Sequence, residues 1–289
     1  MKSFTIGICA YNEEKNIGKL LSFLLNENFI FKLNKILIVA GGNDNTIKIV
    51  KGFQSKSNKI ELIHEKKRMG KASAINLILK KARGEFIVLV SGDNLPKKDS
   101  INLLLKHFED KDVGGVGGRP LPINKQDDCI SNIGKLIWEL HHRVSLTHPK
   151  LSGEMCAIRN GILRKIPQNI INDDGYIEGM IEKRNYRILY EPKAITFMHT
   201  PSSISKLLKQ RRRIARGYIQ LKQMKIDVSM RLRNVIYELS RVIATNPSEI
   251  PMILIAILIE SSANLLAYID TLTNYTPYCW ERFNNNKKV

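Results

Sequence analysis

Side chains that could bind a phosphorylated ligand are grouped in four short segments of the chain. The segments are residues 11–14, 41–46, 91–94 and 173–174. Each contains at least one Asp or Glu, and the first three add Asn, Gly, Ser or Thr. Carboxylates can hold a divalent cation or accept a proton from a reacting group. These four segments are far apart in the sequence, so they can form one site only if the fold brings them together.

Four short apolar runs rich in Ile and Val indicate buried parallel strands. The runs are residues 4–9, 36–40, 60–63 and 86–90. Apolar residues at helical spacing predict helices at 15–26, 46–53 and 71–82. This alternation predicts an α/β fold with a doubly wound sheet. Such sheets bind ligands beyond the carboxyl ends of their strands, so we expect the first three polar segments to converge on one crevice.

Each polar segment also has an ordinary structural interpretation. Asp44 or Thr46 could cap the next helix, because such side chains accept hydrogen bonds from the first helical turn. Residues 93–96 could form a simple turn. Residues 172–174 could cap an amphipathic helix that carries Ile177. The order and spacing of all the segments, rather than any one of them, favour a binding site.

Six segments match, in order, those of glycosyltransferase family 2, which has the GT-A nucleotide-sugar-binding fold. They are residues 10–14, 42–46, 70–76, 91–93, 173–174 and 210–214. The chain resembles this family from about residue 4 to residue 217. The resemblance implies a mixed sheet with helices on both faces and the inverting transfer of a sugar from a nucleotide diphosphate. It divides the chain into a transferase domain at 1–217 and a helical C-terminal region at 218–289.

The resemblance assigns roles to individual side chains. Asp93 takes the last position of the family's metal motif, where a carboxylate holds Mg²⁺ or Mn²⁺ against the donor diphosphate. Asp174 takes the position of the base that removes a proton from the acceptor hydroxyl, while Asp173 caps the helix. His199 is a further candidate for the metal shell. Six residues are implied to bind the donor: Tyr11, Glu13, Asp44, Lys71, Gln210 and Arg213.

Three positions depart from the family pattern. Ser91 stands at the first acidic position of the metal motif, which leaves Asp93 as the carboxylate of that turn. Val39 and Ala40 replace an acidic pair that holds the nucleotide base, so the pattern leaves the base open. Ile214 stands where polymer-forming members have a Trp that stacks on the acceptor sugar. This last departure favours a single transfer over long-chain synthesis.

Three other functions fit the sequence less well or stay open. Gly70 and Lys71 do not complete a Walker A loop, because the first glycine and the Ser/Thr of that pattern are missing. A nucleotidyltransferase would need a Gly-rich phosphate loop after the first strand, where residues 11–14 stand instead. A catalytically impaired nucleotide-sugar-binding protein of the same fold stays open, because Ser91 and Ala40 replace carboxylates.

Charge and cysteine spacing indicate the partners and the compartment. The chain has 46 Lys and Arg against 27 Asp and Glu, a formal net charge of +19, which favours anionic partners. Only 7% of the residues are aromatic and no RNA- or DNA-binding motif is present, which argues against a nucleic-acid partner. Cys9, Cys129, Cys156 and Cys279 form no C-x-x-C pair, so a reducing cytoplasm is expected.

The C-terminal region predicts membrane association. Residues 206–233 contain ten Lys or Arg and one acid at helical spacing, which is typical of a solvent- or membrane-facing basic helix. Residues 234–245 predict an amphipathic helix, and residues 251–269 are strongly apolar but include Glu260. This pattern favours a membrane-docked or re-entrant helical hairpin over a single span, and a plain helical subdomain is the structural alternative. We therefore expect a peripheral or anchored protein on the cytoplasmic face of an anionic membrane, with a glycan or polyprenyl-lipid acceptor.

Overall fold

The computed structural model of the chain describes residues 2–124, 128–227 and 232–276, so Cys279 lies outside it. The strands of the described residues are β1 (Ser3–Tyr11), β2 (Lys32–Gly41), β3 (Ile60–His64), β4 (Phe86–Ser91), β5 (Leu95–Pro96), β6 (Val113–Pro122), β7 (Met155–Arg159) and β8 (Arg187–Met198). Their helices are α1 (Ile17–Asn26), α2 (Thr46–Gln54), α3 (Lys71–Lys81), α4 (Ser100–Lys106), α5 (Cys129–Thr147), α6 (Asp173–Glu182), α7 (Ile204–Gln223), α8 (Leu232–Thr245) and α9 (Ile250–Leu272). The predicted elements of the first half are confirmed, with small differences at their ends.

The strands form one mixed sheet in the order β3-β2-β1-β4-β7-β6-β8-β5. Strands β1 to β4 pair in parallel. Strand β7 runs antiparallel to both β4 and β6, and β8 pairs in parallel with β6. The chain therefore follows the predicted doubly wound pattern in its first half and adds antiparallel pairing in its second half.

Helices cover both faces of the sheet, as predicted. On one face, Phe4, Ile6 and Ile8 of β1 pack in a core with residues of α1 and α4. On the other face, apolar residues of β2 and β4 pack against α3 and α6. A Cβ added at Gly7 would lie 2.5 Å from Ile78 Cγ2, so β1 and α3 approach closely. This contact brings the N-terminus of α3 to the carboxyl end of β1.

The C-terminal helices pack on α5 and α7 through a third apolar cluster. The cluster contains residues of α5, α7, α8 and α9. Two acids of α9 face α7, because Glu260 pairs with Arg211 and Asp270 accepts hydrogen bonds from Arg212. The polar residues that interrupt the apolar run are therefore partly explained by its packing against α7.

The basic stretch at 206–233 differs from the sequence prediction in two ways. It is not one helix, since α7 ends at Gln223 and α8 begins at Leu232. Its arginines do not all face solvent or lipid, because Arg213 and Arg216 are each only 6% exposed. The physical reason is that α7 lies between the sheet domain and α9, so its charges are used for internal pairs. The predicted division after residue 217 falls within α7 and stays a prediction.

Helix α9 and the turn before it could interact with a membrane. The segment Pro247–Leu272 has 26 residues and is long and apolar enough to cross a membrane, by length and composition only. Only 28% of its most apolar stretch is buried, and leucines at 254, 258 and 265 are more than half exposed. The outer face of α9 is therefore apolar and uncovered within the described chain.

Candidate active site

The loops that follow β1 and β2 are joined through Asp44. The backbone N–H of Glu14 donates to Asp44 Oδ2 at 3.1 Å, and the N–H and hydroxyl of Thr46 donate to Oδ1 at 2.9 and 2.6 Å. The N–H of Glu13 donates to Thr46 Oγ1 at 2.6 Å. Asp44 therefore fixes the two loops relative to each other. Its direct contact with a donor stays a prediction.

Two further side chains extend the β1 loop. The Arg68 guanidinium lies over the Tyr11 ring, 4.2 Å from its centroid. Glu13 is 8% exposed, and its Oε2 accepts a hydrogen bond from Asn16 Nδ2 at 3.3 Å. Tyr11 is thus held by a cation, whereas the Glu13 carboxylate is turned toward the start of α1. Their roles in donor binding stay predictions.

Glu65, which the sequence analysis missed, lies next to Ala40, one of the two residues that replace the family's acidic pair. Its N–H donates to the carbonyl of Ala40 at 2.8 Å, and a Cβ at Gly41 would lie 3.6 Å from Glu65 Cβ and 3.5 Å from Tyr11 Cδ2. Burial raises the pKa of the Glu65 carboxyl above its ordinary value, although Met69 and Arg68 partly oppose this. Glu65 therefore supplies a carboxylate beside Ala40 from the neighbouring strand, a contact that the motif positions do not reveal.

Lys71 begins α3 and lies at the centre of the acidic residues. Its Nζ is 3.2 Å from Asp173 Oδ2 and donates to the Gly153 carbonyl at 2.8 Å. Burial alone would lower the pKa of Lys71, but Asp173, Glu154 and Asp174 raise it above the ordinary value. Burial also raises the pKa of Asp173, which Lys71 partly offsets. Lys71 is therefore a charged residue that orders the acidic pair, and its contact with a donor phosphate stays a prediction.

Asp173 and Asp174 begin α6 but have different partners. The Asp174 Oδ2 accepts a hydrogen bond from the N–H of Gly153 at 3.1 Å, while Asp173 pairs with Lys71. The predicted cap differs in detail: Asn172 occupies the N-cap of α6 with no side-chain cap bond among the described residues, and its Nδ2 donates to the Ile214 carbonyl at 3.2 Å. The acidic pair is therefore ordered by α3 and by the segment before β7, and Asp174 Oδ1 also accepts a hydrogen bond from the N–H of Gly175 in the first turn of α6 at 2.9 Å.

The turn after β4 presents Asp93 at the surface. The N–H of Gly92 donates to the Cys9 carbonyl at 3.0 Å, which ties the turn to β1. The Ser91 hydroxyl donates to the Gly153 carbonyl at 3.0 Å. Ser91 thus joins the turn to the segment before β7, while the carboxylate of Asp93 stays exposed.

Glu154 is a second carboxylate near Asp93 that sequence reasoning did not single out. Asn94 Nδ2 donates to Glu154 Oε2 at 2.6 Å. Burial, and then the charge of Asp93, raise the pKa of Glu154 to about 7, while Lys71 opposes the shift. Residues 153–159 resemble the family segment that borders the donor sugar and the acceptor, and this weaker resemblance is the sequence signal for Glu154. The raised pKa of Glu154 indicates that the Asp93 and Glu154 carboxylates are close enough to repel each other.

Asp93 is not part of a complete metal site formed by side chains of the described residues. No group of three or more His, Cys, Asp or Glu side chains suited to a metal occurs in the part of the chain that the structure describes, and His199 belongs to no such group. An ion at Asp93 would therefore take further ligands from water and from a phosphorylated ligand, as Mg²⁺ commonly does.

A cleft with a cavity volume of about 100 Å³ opens beside Asp174, between α5, α6 and α7. Lys71, Asp174 and Gln210 are the predicted site residues that line it, together with Glu154. The lining that sequence reasoning missed includes Trp138 and His141 of α5, Thr200 after β8, and Arg211 and Tyr218 of α7. Tyr11, Glu13, Asp44 and Asp93 are not part of the lining. The predicted residues thus form two adjoining parts, a cleft around Asp174 and a group at the ends of β1, β2 and β4.

Arg213 supports the acidic pair from α7. Its Nη2 donates to the Ile171 carbonyl at 3.1 Å, and its charge helps to lower the pKa of Asp173. Because Arg213 is only 6% exposed, it stabilises the segment before α6. Its predicted contact with a donor diphosphate stays a prediction.

Comparisons with known proteins identify the family of the chain. The sequence profile described as Glycosyl transferase family 2 matches residues 5–164, which is more than half of the chain. A poly-beta-1,6-N-acetyl-D-glucosamine synthase of Staphylococcus aureus strain COL is 26% identical over 232 residues, covering 75% of this chain and 55% of that protein. The chain therefore spans about half the length of the curated relatives it matches.

Solved structures show the same fold. The mannosyltransferase PcManGT from Pyrobaculum calidifontis, in complex with GDP-Man and Mn²⁺, superposes with a TM-score of 0.63 at 22% identity, covering 96% of this chain and 81% of that chain. Residues 1–349 of S. aureus TarS, in complex with UDP-GlcNAc, superpose with a TM-score of 0.52 at 17% identity, covering 98% and 94%. These likenesses confirm the predicted GT-A fold.

Proposed function

Because the chain belongs to glycosyl transferase family 2, we propose that it transfers a sugar from a nucleotide-diphosphate sugar to an acceptor hydroxyl or lipid phosphate. The observation that carries the proposal is the place of Asp174, whose carboxylate lines the cleft and is oriented by the N–H of Gly153 at 3.1 Å. The similarity to a poly-N-acetylglucosamine synthase favours a hexosyl or N-acetylhexosaminyl donor.

Asp174 is proposed as the general base. A hydroxyl becomes a good nucleophile when a positioned base takes its proton during attack on the anomeric carbon. Attack from the face opposite the leaving diphosphate inverts the anomeric configuration. The Lys71 ammonium is close to Asp173 and within electrostatic reach of Asp174, so it would help to hold the acidic pair in place beside the acceptor.

Asp93 is proposed as the metal-binding residue, with Mg²⁺ or Mn²⁺ as the cofactor. When bound, the ion would neutralise the charge that develops on the leaving diphosphate. Glu154 would contribute negative charge from the buried side of the turn, where Asn94 orients it. Because Asp93 is exposed at the end of β4, it can reach phosphate oxygens beyond the strand ends.

Donor binding is proposed at the ends of β1 and β2 and along the cleft. Tyr11, held by Arg68, offers an aromatic face for the nucleotide, and Asp44 and Glu13 order the loop that carries it. Lys71 and Arg213 would add positive charge beside the diphosphate, and Gln210 of the cleft would add an amide.

A membrane partner is proposed from the outer face of α9. Leu254, Leu258 and Leu265 are 56%, 67% and 63% exposed on this helix. An amphipathic segment with basic residues nearby binds anionic bilayers by burying its apolar face and attracting the headgroups. The two acids of α9 face α7, which favours docking of the helix on the surface over a span. The cytoplasmic face and a glycan or polyprenyl-lipid acceptor belong to the same proposal.

A binding screen tests the proposed function. Purified protein would be heated with a panel of UDP- and GDP-sugars, with Mn²⁺ and with EDTA, because a bound ligand raises the unfolding temperature by mass action. We expect at least one nucleotide sugar to stabilise the protein in a metal-dependent way and to be hydrolysed slowly. Stabilisation without any turnover would favour the impaired binding protein, and no stabilisation by any member would contradict the proposal.

A further inference from the structure

The wall of the cleft that faces the base is formed by one side of α5. Gly134, Ile137, Trp138 and His141 all line the cleft, at spacings of three, four and seven residues that place them on one helical face. A Cβ at Gly134 would lie 2.6 Å from Thr200 Oγ1, so α5 packs closely against the segment that contains Thr200. The glycine therefore allows the aromatic residues of α5 and the hydroxyl of Thr200 to share one cavity.

Trp138 offers the largest apolar surface of this wall. Its ring lies 5.1 Å from the His141 ring, at an interplanar angle of 50°. Opposite, α7 presents Ile214 and Tyr218 to the same cleft. An aromatic platform with polar groups at its edge is suited to a ligand with an apolar face and a polar rim.

His141 and Thr200 each have a buried polar atom with no hydrogen-bond partner among the residues that the structure describes. These atoms are His141 Nδ1 and Thr200 Oγ1. Thr200 is 2% exposed, and its backbone N–H and carbonyl are both bonded to Asn124, so the hydroxyl is held in place. Buried polar atoms without partners cost free energy, and a bound ligand could supply the missing hydrogen bonds.

His141 lies near two cations of the cleft, Lys150 and Arg211. Burial, with Lys150 and Arg211, lowers the pKa of His141 well below its ordinary value, so the ring is neutral at physiological pH. The Arg211 guanidinium is in turn paired with Glu260 of α9. A neutral imidazole can donate or accept one hydrogen bond, which suits a hydroxyl.

We infer that Trp138, His141 and Thr200 form a binding site for a saccharide ring of the acceptor. The ring would stack on Trp138, and its hydroxyls would pair with His141 Nδ1 and Thr200 Oγ1. This inference rests on the proposed function and specifies its acceptor as a sugar rather than a bare lipid phosphate. We assign this site to the acceptor because Trp138, His141 and Thr200 line the cleft that also contains the proposed base, Asp174. Lys71 and Gln210, which are proposed to bind the donor, line another part of the same cleft.

Tryptophan fluorescence tests the inference without any donor. The chain has two tryptophans, so a Trp280→Phe protein reports on Trp138 alone. It would be titrated with cellobiose, mannobiose and chitobiose, and with undecaprenyl phosphate in detergent micelles. We expect saturable quenching by at least one disaccharide and none by the lipid phosphate. Quenching by the lipid phosphate alone, or by no ligand of the set, would overturn the inference.

Matched variants in the same background separate a specific contact from a change of fold. His141→Leu and Thr200→Val should each weaken disaccharide binding by about tenfold, as expected for one lost hydrogen bond to a buried site. His142→Leu is the control, because the His142 Nδ1 is already bonded to Tyr190 OH at 2.8 Å and lies outside the cleft. Equal losses in His141→Leu and His142→Leu would overturn the assignment.

A transfer assay distinguishes this inference from the proposed function. Trp138→Leu should raise the KM for a saccharide acceptor by about tenfold, while hydrolysis of the nucleotide sugar by water and donor-induced stabilisation stay unchanged. If the wild-type protein binds disaccharides but no nucleotide sugar, the proposed function fails and the saccharide site stands. If Trp138→Leu keeps the wild-type acceptor KM, the saccharide site fails and the proposed function stands.

Discussion

Removing the Lys71 ammonium should destabilise the protein more than removing the Asp173 carboxylate. The side chains of Lys71 and Asp173 are 22% and 10% exposed, so their pair is mostly buried. Lys71→Met leaves three carboxylates, Asp173, Asp174 and Glu154, without their shared cation. Breaking a buried pair costs about 3–5 kcal/mol, and the residual exposure of Lys71 reduces this to about 2–4 kcal/mol.

In Asp173→Asn, the Lys71 ammonium keeps other partners, whereas Lys71→Met leaves the carboxylates without their shared cation. The Lys71 Nζ still donates to the Gly153 carbonyl at 2.8 Å, and Glu154 and Asp174 remain nearby. We therefore expect a loss of about 1–2 kcal/mol. The double variant should lose at least 1 kcal/mol less than the sum of the single variants, since contacting residues couple by about 0.5–3 kcal/mol.

Urea unfolding of the four proteins measures these free energies. The control is Lys81→Met, because the Lys81–Glu61 pair is 50% and 35% exposed and such pairs contribute less than about 1 kcal/mol. Equal losses for Lys71→Met and Lys81→Met, or additive losses in the Lys71/Asp173 cycle, would refute the reasoning.

Three further predictions concern pH, metal and membrane. The pKa of Glu154 is raised from 4.5 to about 7, so between these pH values the folded protein holds a proton that the unfolded chain has released. The free energy of unfolding, measured with urea in the presence of EDTA, should therefore fall as the pH rises from 4.5 to about 7. Glu154→Gln should reduce this pH dependence. Asp93→Ala should abolish the difference in nucleotide-diphosphate affinity between Mn²⁺ and EDTA, measured by calorimetry; an unchanged difference would contradict it. Full-length protein should sediment with anionic liposomes, and part of this binding should persist at high salt. Replacing Leu254, Leu258 and Leu265, which are exposed, by serine should weaken the binding. Wild-type protein that stays in the supernatant at low salt would exclude the docking surface.

The sheet could be predicted well because its determinants are local. The runs around β1, β2, β3 and β4 are short, apolar and separated by helical patterns, so period and length were sufficient. The second half was harder, because β7 pairs with β4 and β8 pairs with both β6 and β5, so neighbouring strands are not consecutive in the chain. Strand β6 also contains four glycines. Long-range pairing of this kind leaves little signal in a single sequence.

The residues of the candidate site also fall into two groups, those that the sequence identifies and those that depend on long-range contacts. Asp93, Asp174 and Lys71 stand in segments that can be recognised from residue type and order. Glu65 and Glu154 could not be chosen in that way, since each depends on a contact between neighbouring strands or turns. The same limit applies to the arginines of α7. Their sequence is that of a solvated basic helix, and only the packing of α9 shows that several of them are used inside the protein.

The most direct test of the account compares wild-type protein with Asp174→Asn in sugar transfer and in donor binding. Asparagine keeps the size of the side chain but cannot accept a proton at neutral pH. We predict that transfer from the nucleotide sugar to a hydroxyl acceptor falls by about 10²–10⁴-fold, the usual range for a lost general base, while the stabilisation of the protein by that nucleotide sugar is unchanged. Transfer at the wild-type rate by Asp174→Asn would contradict the assignment of the base and, with it, the central claim.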